Sequence, residues 1–198
     1  FGISGDRTQH ILWRIQNGNF KNIDPKLVIL SIGVNNFKHN TSPEIASGIE
    51  AIVKSLKNLT PSPNILLLGP FPAGANENDP MRIKYYQVHN LIESLGKIKG
   101  ITYKNIGKEF ILNNGNLNYE LMRKDNIHLM PQSYYQWAES IQEEIDKVML
   151  LQHGDGIIHG AGTASIIKTI ENHGYHLSYS SSEGVGTTVR ILIPYIAI

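Results

Sequence analysis

Three short apolar runs alternate along this chain with stretches whose apolar residues recur at helical spacing. Residues 27–32 (LVILSI) lie between Pro25 and Gly33, and residues 64–69 (NILLLG) end in Gly69 followed by Pro70. Residues 101–106 (ITYKNI) form a weaker third run, and residues 1–3 read as the end of another. Short apolar runs bounded by Gly and Pro predict buried parallel strands. Between them, Ile11, Leu12 and Ile15 share one helical face. Ser42, Pro43 and Glu44 predict a helix start, with Ser42 as N-cap and Ile45, Ile49, Ile52, Val53 and Leu56 as its apolar stripe. Residues 81–98 and 133–150 are two further amphipathic segments, and Ser133 reads as an N-cap. Strand and helix in alternation, joined by short loops, predict a parallel sheet covered on both faces. In such sheets functional groups sit in loops at the carboxyl ends of strands.

The pattern changes near residue 151. Residues 152–162 (QHGDGIIHGAG) are glycine-rich. Residues 163–172 then read as a helix, and residues 176–180 and 187–193 as two strands around the turn 182–186. A helix and hairpin are too small to bury a core alone. We therefore expect two parts, residues 1–150 and 151–198.

Composition narrows the function classes. Among 198 residues 41% are hydrophobic and 18% charged, so a packed core is expected. The net charge is +1 and the Lys and Arg residues are scattered, which gives no case for a nucleic-acid partner. No long apolar run suggests a membrane span. With no cysteine there is no disulfide, thiolate metal site or cysteine nucleophile, which fits a cytoplasmic protein.

Three local patterns could carry chemistry. In Asp125-Asn126-Ile127-His128 a carboxylate three residues before an imidazole can bond the ring in a turn and fix its tautomer. Gly33-Val34-Asn35-Asn36 follows a strand, where an Asn amide can donate to an oxyanion. Gly2-Ile3-Ser4-Gly5-Asp6 precedes a helix, where loop N–H groups could do the same, or Asp6 or Thr8 could simply cap the helix. Taken singly, each pattern also reads as an ordinary turn. His10, His39 and His89 lack metal-ligand spacing and read as surface or capping residues. His153 and His159 bracket the glycine-rich stretch, where a turn is the simpler reading than a metal site.

The order of these patterns resembles that of the SGNH (GDSL) hydrolases. Residues 1–18 (FGISGDRTQHILWRIQNG) are similar to that family's second block, in the form found in platelet-activating factor acetylhydrolases. Gly33-Val34-Asn35-Asn36 is similar to the third block. Leu68-Gly69-Pro70-Phe71-Pro72 sits where the family carries a Leu-Gly-x-x-Pro segment. Asp125-x-x-His128-Leu129, with Tyr134 and Trp137-Ala138, resembles the fifth block. The resemblance covers residues 1–150 and implies a three-layer α/β/α, flavodoxin-like fold. It implies cleavage of a small acyl ester, acetyl the favoured group, with no cofactor. It makes His128 the general base and Asp125 its orienting partner, with Gly5 (backbone N–H) and Asn35 (side-chain amide) in the oxyanion hole. It also makes a homodimer an expectation.

The family's Gly-Asp-Ser nucleophile block is expected upstream of Phe1, and no such run occurs elsewhere in the sequence. We read the start as truncated and the fold as N-terminally incomplete, with a central strand left uncovered. Ser4 is the weak candidate for a replacement. A catalytically inactive binding or dimerisation module is the alternative reading. Residues 159–194 resemble the end of a histidine-kinase-type ATP-binding domain, with Gly160-Ala161-Gly162, Ser165 to Lys168 and Gly184 to Gly186 carrying the likeness. The adenine- and magnesium-binding parts of that domain are absent, so nucleotide binding is not expected.

Overall fold

The computed structural model describes residues 3–18, 20–153, 176–182 and 186–192. The chain divides into two compact units, Phe1–Val148 and Met149–Ile198. The expected strand end at residues 1–2, the helix at 163–172, the turn at 183–185, and His159, Gly160, Gly162 and Ser165 all lie outside the described residues.

In the first unit, helix α1 (Thr8–Gln16) precedes strand β1 (Leu27–Leu30), helix α2 (Ser42–Lys57), strand β2 (Asn64–Leu67), helix α3 (Pro80–Ile92) and strand β3 (Ile101–Tyr103). Helix α4 (Ser133–His153) begins in this unit. The strands are parallel in the order β1-β2-β3, with Val28 opposite Ile65 and Ile65 opposite Ile101.

Alternation along β2 separates the two faces. Ile65 and Leu67 pack with the stripe of α2 (Ile45, Ile49, Ile52, Val53, Leu56), with Val88 and Ile92 of α3, and with Ile11, Leu12 and Ile15 of α1. Leu66 and Leu68 pack on the opposite face with Ile141, Ile145 and Trp137 of α4. A period of two in the strands set against 3.6 in the helices produces this three-layer α/β/α arrangement.

Two helix starts differ from the sequence reading. The N-cap of α2 is Thr41, whose side chain accepts from the Glu44 N–H while the Glu44 carboxylate accepts from the Thr41 N–H. Ser42 lies one residue inside the helix and donates its hydroxyl to Gln87 Oε1 at 2.7 Å. Ser133 is likewise the first helical residue; it is buried, and its hydroxyl donates to the Leu121 carbonyl at 2.7 Å. Residues 81–98 are also not one helix: α3 stops at Ile92 and tightens into a 3-10 turn, Glu93–Lys97. The strand at 27–32 is shorter and less covered than expected. Among the described residues β1 pairs with β2 alone, and Ile29, on the α4 side of the sheet, is 41% exposed.

In the second unit, strands β4 (His176–Ser182) and β5 (Gly186–Leu192) form an antiparallel hairpin, with Tyr179 opposite Val189. Among the described residues no helix is long and apolar enough to cross a membrane.

Candidate active site

The Asp125–His128 turn folds onto its own carboxylate. Asp125 Oδ1 accepts from the N–H of Ile127 at 3.0 Å and of His128 at 2.9 Å. Its Oδ2 lies 2.9 Å from His128 Nδ1. Partial burial pushes the Asp125 carboxyl up. The bonds from the His128 N–H, the His128 ring and the Ile127 N–H outweigh it and hold the group at about 2. An ionised carboxylate can only accept, so Nδ1 carries the proton and Nε2 of the neutral ring keeps its lone pair. The His128 side chain is 63% exposed. Among the described residues no serine hydroxyl bonds the ring; Ser4 is exposed in its loop.

The rest of the turn is held from several directions. The Arg123 N–H donates to the His128 carbonyl at 2.7 Å, and the Asn126 N–H to the Arg123 carbonyl at 3.0 Å. Asn126 itself adopts φ 64°, in the left-handed region that Asn tolerates better than most residues. The expected fifth-block residues pack close by. Trp137 meets Phe71 edge-on at 5.5 Å and Tyr134 at 5.9 Å, so the Leu68–Pro72 segment is seated against α4.

The second pair expected in the site also comes together. Asn35 is exposed in a 3-10 turn (Val34–Asn36) after β1, and its Nδ2 donates to the Asp6 carbonyl at 2.9 Å. Gly5 lies in the adjoining turn, closed by the Asp6 N–H donating to the Ile3 carbonyl at 3.1 Å. Gly33, at φ 123°, makes the sharp exit from the strand that its place in the sequence predicts. No hydrogen bond joins these residues to the Asp125–His128 turn among the described residues. Both lie beside the loop after β2 instead: Ser31 donates to the Gly69 carbonyl at 3.0 Å, and the Gly74 N–H donates to the Asn126 carbonyl at 3.1 Å.

Helix α1 is capped across space. Neither Asp6 nor Thr8 is its N-cap. Asp6 is buried and pairs with Arg14, and the N-cap position is Arg7. The Thr8 N–H is satisfied by Asn36 Oδ1 at 3.0 Å, and His10 Nδ1 accepts from the Arg7 N–H at 3.2 Å. Asn36 is fully buried and its Nδ2 also donates to Thr8 Oγ1 at 3.2 Å and Asn40 Oδ1 at 2.9 Å. It joins the two loops that hold Gly5 and Asn35. The sequence pattern points to its neighbour Asn35 and not to Asn36, because the Thr8 groups that Asn36 binds lie 28 residues away.

His89 departs from its expected surface role. It is buried, with Nε2 2.9 Å from the Pro70 carbonyl and Nδ1 2.7 Å from the Tyr103 hydroxyl. A carbonyl only accepts, so Nε2 carries the proton and Nδ1 accepts from Tyr103. Burial lowers the ring to about 4 against the opposing Pro70 bond, so it is neutral at pH 7. His39 is exposed, as expected. Among the described residues no group of His, Asp and Glu is placed to hold a metal ion.

The fold and this turn define an α/β/α protein with a carboxylate-oriented histidine at the carboxyl-end loops of a parallel sheet. Residues 1–135 match the GDSL-like Lipase/Acylhydrolase family, and the chain belongs to that family. It is 35% identical over 150 residues to platelet-activating factor acetylhydrolase IB subunit alpha2 of Gallus gallus, covering 75% of this chain and 64% of that protein. It is 32% identical over 158 residues to subunit alpha1 of Rattus norvegicus, covering 79% and 67%. The chain thus spans about two-thirds of the length of these relatives. Among solved structures, a GDSL-like lipase from Bacteroides thetaiotaomicron superposes with a TM-score of 0.60 at 21% identity, covering 74% of each chain. An acetylxylan esterase from Geobacillus stearothermophilus gives 0.59 at 19% identity, covering 73% and 69%. At such identities the structures speak to the fold alone.

Proposed function

We propose that this chain carries the acid–base half of an ester hydrolase that cleaves small acyl esters, acetyl esters first among them. In this reading His128 Nε2 takes the proton from a serine hydroxyl as that hydroxyl attacks the ester carbonyl. Asp125 holds the tautomer that leaves Nε2 basic and stabilises the imidazolium that forms. One amide hydrogen of Asn35 is held by the Asp6 carbonyl, and the second, with the Gly5 N–H, donates to the developing oxyanion. The serine is supplied from outside these 198 residues. No cofactor takes part. The observation that carries the reading is the 2.9 Å contact between His128 Nδ1 and an Asp125 carboxylate fixed by two backbone N–H groups. The names of the relatives support acetyl as the acyl group.

The test is hydrolysis of p-nitrophenyl acetate by this chain, and by a chain extended at its N-terminus to the length of the relatives. The extended chain is expected to show hydrolysis that His128→Ala removes, while the 198-residue chain stays at the His128→Ala background. Equal rates for the extended chain and its His128→Ala variant would overturn the reading. A rate in the 198-residue chain that Ser4→Ala abolishes would move the nucleophile to Ser4.

A second reading is a binding or dimerisation module. It is favoured by the exposed apolar side chains Ile3 (60%), Trp13 (64%) and Ile29 (41%), and by a β1 edge that has no partner strand among the described residues. Sedimentation equilibrium discriminates. A dimer that Trp13→Ser dissociates, together with no His128-dependent hydrolysis in the extended chain, favours the module.

A further inference from the structure

Arg82 lies in the first turns of α3 and is fully buried, yet among the described residues it makes no ion pair. A buried guanidinium is costly unless its donors are satisfied. Here they go to three backbone carbonyls: Nε to Ala73 at 3.3 Å, Nη2 to Gly74 at 2.8 Å and Nη1 to Gly115 at 3.0 Å. The peptide units so gripped reach the catalytic turn directly, because the Gly74 N–H donates to the Asn126 carbonyl at 3.1 Å. From the other side Asn126 is held by its side chain, whose Oδ1 accepts from the Tyr119 hydroxyl at 2.6 Å. Asn126 sits between Asp125 and His128 in left-handed backbone at φ 64°, so its conformation sets how carboxylate and ring face each other.

We propose that Arg82 and Tyr119 are positioning residues for the Asp125–His128 pair, clamping Asn126 from the backbone and the side chain respectively. This rests on the hydrolase reading for its importance, but the geometry it describes is measurable without turnover. Arg82 suits the role because its planar fork reaches three carbonyls at once, and a Lys ammonium on a flexible stem cannot reproduce that spread. Tyr119 is 45% exposed, so removing its hydroxyl leaves the core intact.

The test follows the imidazole nitrogens of the 15N-labelled full chain by long-range 1H–15N NMR at neutral pH. Buried His89 serves as the reporter of an intact fold and exposed His39 as the unconstrained reference. The wild-type His128 ring is expected to hold its proton on Nδ1. In Tyr119→Phe and in Arg82→Lys the Nδ1–H population is expected to fall at least twofold, toward the His39 value, while the His89 signals stay in place. If Arg82→Lys does not fold, Tyr119→Phe decides. A folded Tyr119→Phe with the wild-type His128 tautomer overturns the proposal. Failure of the hydrolase reading is seen separately, as ester hydrolysis by the extended chain that does not depend on His128.

Discussion

His128 Nδ1 and Asp125 Oδ2 stand 2.9 Å apart within a single turn, with the same carboxylate also accepting the backbone N–H of His128. The turn is therefore closed by its own chemistry: folding the loop and setting the tautomer are one event. Because Asp125 is held at about 2, below the ordinary carboxylate value, it keeps its charge wherever the protein is folded near neutral pH.

Asp125→Asn should expose that coupling. The amide can donate to the ring as well as accept, so the tautomer with its proton on Nε2 becomes available and the base is lost. In the N-terminally extended chain kcat for p-nitrophenyl acetate is expected to fall by roughly 10³- to 10⁴-fold, with KM little changed. Steady-state kinetics across pH 5 to 9 check this. A fall of less than tenfold would mean that Asp125 does not orient the base.

Asn36→Ala should loosen the loops that hold Gly5 and Asn35. It removes Asn36 Oδ1, the acceptor of the Thr8 N–H, and leaves that donor buried. A buried unsatisfied donor together with lost side-chain bonds costs about 2–3 kcal/mol. Urea denaturation followed by circular dichroism measures it, and a loss below 0.5 kcal/mol on the order of experimental error would contradict the role.

His89 should make the fold acid-sensitive. Its folded-state value is lowered to about 4 from an ordinary 6.5, first by burial and then by Lys108, with the Pro70 carbonyl opposing. Below 6.5 the unfolded chain takes up a proton that the folded chain refuses, so stability declines as pH falls from about 6.5 to about 4. The total is on the order of 3 kcal/mol. Unfolding free energies at pH 7, 5.5 and 4.5 should show this decline, and His89→Gln should flatten it.

Gly74→Ala should damage the fold and the turn together. Gly74 has φ 84°, and a Cβ there would lie 2.4 Å from Asp79 Cγ, the carboxylate that accepts from the Met81 N–H at the start of α3. Backbone strain plus displacement of that cap is expected to cost about 2–4 kcal/mol. Thermal unfolding reads it. A melting temperature within 2 °C of wild type, roughly the measurement's own scatter, would show that the loop yields without loss.

Much of the fold is legible along the chain. The strand and helix periods of residues 8–15, 27–32, 42–56 and 64–69 translate directly into elements, because burial of one face imposes spacing that sequence displays. The Asp125–His128 pair is legible for the same reason: its partners are three residues apart, and the contact is local. The start of α2 lies one residue earlier than its sequence indicates because Thr41 and Ser42 both suit a cap: Thr41 bonds Glu44, while the Ser42 hydroxyl goes to Gln87 on α3.

What the tertiary structure alone decided are the contacts between residues distant in sequence. Asn36 reaches Thr8, His89 reaches Pro70 and Tyr103, and Arg82 reaches Gly115; no local pattern marks any of them. A polar side chain becomes buried and structural only when the fold brings it acceptors that replace water, and those acceptors belong to other loops. Ile29 shows the converse. Its apolar strand pattern reads as buried, yet α4 packs on Leu66 of β2 and on Leu68 just after it, and Ile29 is left 41% exposed. Sequence by itself determined the periodic elements and the self-contained turn, since both are set within a few residues. The burial of each polar group and the cover over each strand depended on which surfaces met.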